Sequence, residues 1–192
     1  MPYAMICAMT QLNPMKSDKG LEPDRKDDLV AEGMAQWQQA RADIDCSGKA
    51  VVGRMLLLDE LIVQKMNDAL AHHGIKYYEY AVLATLRVMG PPFRMTPSAL
   101  KRKLLFTSGG LSNLLKRLEQ SGWIRRADDP EDGRGVLVHL TPKGRRLADE
   151  SMQDQARAEL ELLHMFSPSE QQLLAGMLAR MLSGNSARSP RL

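Results

Sequence analysis

The chain has 192 residues, 44% of them hydrophobic and 26% charged, which is enough apolar material for one core-bearing domain with extensions and excludes wholesale disorder. The formal charge is only +3, but residues 94–146 hold twelve basic and five acidic groups, so that block carries +7 and the remainder −4. Two cysteines, Cys7 and Cys46, exclude a disulfide framework and fit a reducing cytoplasm. The apolar run over 50–63 is cut by Arg54, Asp59 and Glu60, far short of the roughly 20 residues a membrane span needs, so no membrane partner is expected.

Residues 1–15 contain no charge before Lys16, so the charged start of a secretory signal is missing, and a flexible tail is expected over 1–24. Leu29, Val30, Met34 and Trp37 recur at helical intervals and predict an amphipathic helix of about four turns. After a polar break at Asp45–Gly48, the run from Val51 to Leu70 is apolar on most sides, the mark of a helix buried in a core or between subunits, and it ends at Gly74. A third helix over Tyr77–Met89 is stopped by Gly90-Pro91-Pro92.

Thr96-Pro97-Ser98 caps a short helix through Leu100 and Leu104. Thr107-Ser108-Gly109-Gly110 then precedes Leu111, Leu114, Leu115 and Leu118, an apolar stripe closed by Ser121-Gly122. Trp123–Arg126 and Val136–Leu140 read as two strands of a hairpin with a nine-residue polar tip. Thr141-Pro142 caps a long helix, and Ser167-Pro168-Ser169-Glu170 is a capping box that launches the last one, through Leu173, Leu174, Met177, Leu178 and Met181.

Helix, tight turn, helix and hairpin is the order of a winged helix-turn-helix, whose second helix enters the DNA major groove. The fold class expected is therefore mainly α with a small β-hairpin wing. With the leucine stripe turned inward, Asn113, Lys116, Arg117 and Gln120 share the outer face, and such groups read base edges and phosphates. Ser108, Gly109 and Gly110 open that helix, where free backbone N–H groups and missing Cβ atoms admit a phosphate. Arg134, at the hairpin tip, suits the electronegative minor groove. Ser98, Lys101 and Arg102 on the supporting helix and Ser112 on the reading helix complete the expected DNA-binding set. A single outward Lys or Arg is ordinarily a solvated face; the coincidence of the +7 block with this motif is what favours double-stranded DNA as partner.

Asp132-Gly133-Arg134 followed by Val136, Val138 and Leu140-Thr141-Pro142-Lys143-Gly144 resembles the wing signature of the MarR transcription regulators, and the Ser108–Asn113 helix and the closing helix agree with it. The resemblance spans about 29–183. It implies a cytoplasmic homodimer interlocked through helices from both termini, two winged modules on a pseudo-palindromic operator, repression, and release by a ligand. Gly133 stands where the family usually has a second basic residue, which implies a weaker grip by the wing. The implied organisation is a tail (1–24), helices for dimerisation and the ligand pocket (25–90), the winged module (91–146), dimerisation helices (147–183) and a second tail (184–192).

Within that family, the extra N-terminal helix with its Trp and the Gly-Pro-Pro turn resemble the urate-responsive branch. That likeness implies ligand contacts at Trp37, Ala81, Leu114 and Arg126, with Ala81 in place of the branch's Asp and Leu114 in place of its Arg. Without those two polar partners the expected effector is a small aromatic or phenolic molecule rather than urate. Packing at a dimer interface is an equally good use of Trp37. Cys46 lies before the second helix, not within it where the family's oxidation-sensing thiols sit.

An enzyme is not expected. His72, His73, His139 and His164 are scattered and none lies at ligand or triad spacing in sequence; the adjacent His72-His73 reads as a contact to a helix C-terminus before it reads as a metal site. No metal ligand, catalytic residue or cofactor is expected. The competing reading from another class is a winged-helix protein-interaction scaffold without DNA binding.

Overall fold

A computed structural model of the chain describes residues 28–104, 108–130 and 135–186, with Ser108 and Ser186 described by their backbone alone. The expected tail over 1–24, Thr107, Arg134 and residues 187–192 lie outside the described residues, whereas 184–186 of the second expected tail belong to the last helix. The chain divides into two compact units, Met1–Val63 and Gln64–Leu192, and each is treated by itself.

In the first unit, α1 (Leu29–Ala40) is capped by Asp28, whose Oδ1 accepts from the amides of Val30 (3.1 Å) and Ala31 (3.2 Å). Its Oδ2 accepts from the Arg54 guanidinium of α2 (Lys49–Leu70). Burial opposes the charge on Asp28, yet the Arg54 hydrogen bond and the two amides hold its carboxyl below the usual value. α1 has three turns rather than four, because Arg41, whose amide makes the last helical bond to the Trp37 carbonyl at 2.8 Å, leaves helical geometry at φ −147°, ψ 67°. Gly53 lets the helices approach: a Cβ there would sit 3.0 Å from Val30 Cγ1. On α2, Val51, Val52, Leu56, Leu58, Leu61 and Ile62 are exposed in the single chain.

The second unit begins with the end of α2, a 3₁₀ turn over Ala71–His73, and Gly74 at φ 70°, a left-handed position that glycine takes without strain. α3 (Tyr77–Val88), α4 (Pro97–Leu104) and α5 (Ser108–Gln120) follow, then β2 (Ile124–Asp128), β3 (Val136–Leu140), α6 (Pro142–Leu162) and α7 (Pro168–Ser186). The wing has three strands rather than two, since β1 (Arg94–Met95) pairs with β3 and gives the antiparallel order β1-β3-β2. Two residues are too few for alternation to register in sequence. β2 is shifted from the expected Trp123–Arg126: the Trp123 amide bonds to Leu118 as α5 ends, and the ladder continues to Asp128 opposite Val136. The polar tip is correspondingly shorter, closed by the Asp129 amide on the Gly135 carbonyl at 2.9 Å.

Val82, Leu83 and Leu86 of α3, Leu100 of α4, Leu111, Leu114, Leu115 and Leu118 of α5, Ile124, Val138 and Leu140 of the sheet and Ala148 of α6 form one core. No helix among the described residues is long and apolar enough to cross a membrane.

Candidate nucleic-acid interface

The alternation of α5 is resolved as its sequence spacing requires. Leu111, Leu114, Leu115 and Leu118 are all at most 4% exposed, while Ser112, Asn113, Lys116, Arg117 and Gln120 are exposed on the other side. Four buried leucines at about 1.5–3 kcal/mol each hold the helix against the core without drawing on its polar face. α4 is placed by Leu100, fully buried, and by its cap, the Ala99 amide donating to Thr96 Oγ1 at 3.2 Å. Ser98 and Arg102 are exposed and Lys101 is half-buried, so the two helices offer Ser98, Lys101, Arg102, Asn113, Lys116 and Arg117 to solvent from consecutive elements.

Gly109 and Gly110 lie in the first turn of α5, both exposed, and a Cβ at 109 would meet nothing within 4 Å. Packing therefore does not require glycine at 109. A helix N-terminus carries partial positive charge, so an open first turn is suited to a phosphate.

Two basic residues are partly committed within the chain. Arg117 Nη2 lies 3.3 Å from Glu79 Oε1 of α3, a carboxylate that also accepts from the Lys76 amide at 2.9 Å. Arg126 is bound more completely: Glu119 accepts its amide at 2.8 Å, its Nε at 2.8 Å and its Nη2 at 2.7 Å. The Arg126 hydrogen bonds hold the Glu119 carboxyl below the usual carboxylate range. This clasp ties α5 to β2 of the wing. Neither Glu79 nor Glu119 was indicated by the sequence, because each acts through a partner on another element.

The outer face of the wing carries a cross-strand row. Arg94, His139 and Arg125 stand in register across β1, β3 and β2, with Arg125 Nη2 3.4 Å from His139 Nδ1. Burial, and then the charges of Arg125 and Arg94, push the His139 imidazole below its ordinary pKa.

The four expected ligand residues are differently placed. Leu114 is a core residue at 4% exposure, Ala81 is half-buried on α3, and Arg126 is taken up by Glu119. Trp37 belongs to the first unit, where the Lys49 ammonium stands 3.8 Å from its ring centroid and its indole Nε1 is buried with no hydrogen-bond partner among the described residues.

A leucine-anchored helix with a polar outer face, a preceding capped helix, an open glycine turn and a three-stranded wing define a winged helix-turn-helix DNA-binding protein. The MarR family model matches residues 73–135. The HTH-type transcriptional regulator PecS of Dickeya dadantii (strain 3937) is 30% identical over 152 residues, 79% of this chain and 92% of that protein. The multiple antibiotic resistance protein MarR of Salmonella typhimurium is 34% identical over 103 residues, 53% and 69% of the two chains. The crystal structure of a point mutant of E. coli MarR complexed with operator DNA is similar at a TM-score of 0.64 and 27% identity, covering 72% of this chain and 99% of that one. The chain belongs to the MarR family and is a DNA-binding transcription regulator, not an enzyme.

Proposed function

We propose that the protein is a homodimeric, ligand-responsive repressor that binds a pseudo-palindromic operator. Asn113, Lys116, Arg117 and Ser112 enter the major groove; Ser98, Lys101, Arg102 and the first turn of α5 at Ser108, Gly109 and Gly110 contact phosphate; Arg134 reaches from the wing. The observation that carries this reading is the division of α5 into a fully buried leucine face and an exposed polar face beside α4. Dimerisation is supported by the exposed apolar side chains of α7, where Leu173 is 64% and Leu182 70% exposed, and by those of α2. Symmetric dimers read symmetric sites. A gel shift against DNA from the protein's own promoter region tests it: a shift that weakens steeply with salt is expected, and no shift at any salt would refute it.

The effector is a small aromatic or phenolic molecule that makes its first contact at Trp37. Support comes from the first unit alone: among the described residues the buried indole N–H and the buried Gln38 Oε1 have no hydrogen-bond partner, and Gln38, next to Trp37 in sequence, lines a cavity of about 260 Å³ with Met34, Ala42, Ile44, Asp45 and Cys46. A buried donor and a buried acceptor without partners favour a ligand bearing both. Titration of salicylate or a simple phenol should quench the fluorescence of Trp37 and lower DNA affinity, and Trp37→Phe should remove the quench while leaving the emission of Trp123 intact.

A further inference from the structure

We propose that His72, His73 and Asp154 form a binding site for a divalent transition-metal ion, Zn²⁺ foremost, that clasps the end of α2 to α6. His72 and His73 are consecutive in the 3₁₀ turn over Ala71–His73, and their side chains lean together, with ring centroids 3.9 Å apart. Both Nε2 atoms converge on the same carboxylate oxygen: Asp154 Oδ2 is 2.9 Å from His73 Nε2 and 3.2 Å from His72 Nε2. The three donor atoms all lie within 4.8 Å of one another. For metal–ligand bonds of about 2.0 Å, the edge of a tetrahedron is about 3.3 Å, so an ion fits between these atoms with small adjustments.

The surroundings suit a cation. The other oxygen of Asp154 is held by Arg157 Nη1 at 3.3 Å, which orients the carboxylate as an outer-shell contact does and leaves Oδ2 turned to the imidazoles. The site opens into a cleft of about 400 Å³ that Asp68, Glu161, Lys65 and Arg157 also line, so with Asp154 the cleft holds three carboxylates against two cations. Lys65 already pairs with Glu161 at 2.8 Å. His72 is 61% exposed, which gives an ion and a fourth, water ligand free access, whereas His73 at 12% and Asp154 at 23% are anchored. Two imidazoles and one carboxylate favour Zn²⁺, Ni²⁺ or Cu²⁺ over Mg²⁺ or Ca²⁺, which require oxygen donors. Binding replaces an imidazole proton at each Nε2 that carries one, so uptake releases protons. The sequence hides the site because Asp154 lies 81 residues from His73.

The test uses the untagged, full-length protein, stripped with chelator and titrated with ZnCl₂ and CoCl₂. The expected result is one ion per chain at micromolar free metal, a Co²⁺ visible spectrum of N/O-coordinated type without a thiolate charge-transfer band, and a Zn²⁺-dependent rise in Tm. His72→Ala, which removes only a solvent-facing ring, and Asp154→Asn should each weaken binding at least tenfold and abolish the Tm response; should Asp154→Asn fail to fold, His72→Ala decides alone. No uptake by the wild-type chain at micromolar metal overturns the proposal. So does uptake that His72→Ala leaves unchanged, or that Cys46→Ser removes.

Discussion

On the proposed function, the side chains of α4 and α5 have separate roles on DNA. Asn113 is exposed on the reading face, so Asn113→Ala should lose a base contact at a cost of about 1–3 kcal/mol, with relaxed preference at one operator position. Lys101 lies on the supporting helix, and Lys101→Ala should weaken binding to all sequences alike and reduce the salt slope by about one unit. Binding isotherms at several salt concentrations distinguish the two; a changed sequence preference for Lys101→Ala would reverse the helix assignments. Glu119 should matter without touching DNA. Glu119→Ala leaves the Arg126 amide and guanidinium without their acceptor, and since both side chains are more than a third exposed the loss should be only about 1 kcal/mol in urea unfolding.

Backbones approach closely where the wing joins α6. Thr141 caps α6, its Oγ1 accepting from the Gly144 amide at 3.0 Å and donating to the Trp123 carbonyl at 3.0 Å. A Cβ at 144 would fall 2.0 Å from that same Trp123 oxygen, so Gly144→Ala forces backbone apart and should cost about 2 kcal/mol or more, against an expected gain from helix propensity alone. The cap and its proline were legible in sequence, but the close approach was not, since it depends on where Trp123 lies. The wing should also confer a pH dependence. With His139 pushed below its ordinary pKa, the unfolded chain binds the more protons between the folded value and 6.5, so stability holds above pH 6.5 and falls as pH drops through that window. Melting at about pH 7 and about pH 5.5 should show a smaller decrease for His139→Gln than for the wild type.

For the whole molecule, the open question of the single chain is its apolar surface. Leu173, Met177, Leu178, Met181 and Leu182 of α7 are 39–70% exposed, more than a soluble monomer ordinarily leaves uncovered on one helix. Deleting residues 165–192 should therefore yield a monomer by sedimentation and lower affinity for a two-half-site operator far more than for a single half-site. A folded, truncated dimer would contradict this.

Local signals determined much of the architecture. Caps at Thr96, Thr141 and Ser167, the Gly122 stop at φ 71° and the leucine stripe of α5 act over a few residues, so the helices and the buried face of α5 could be read directly from the chain. The exposed polar face of α5 followed from the same period of 3.6. Tertiary structure alone decided the third strand, the Glu119 clasp on Arg126, the pairing of Arg117 with Glu79, and the convergence of His72 and His73 on Asp154. Each joins residues whose separation in sequence carries no periodic or capping signal, and whose geometry exists only once the core has set the helices and strands against one another.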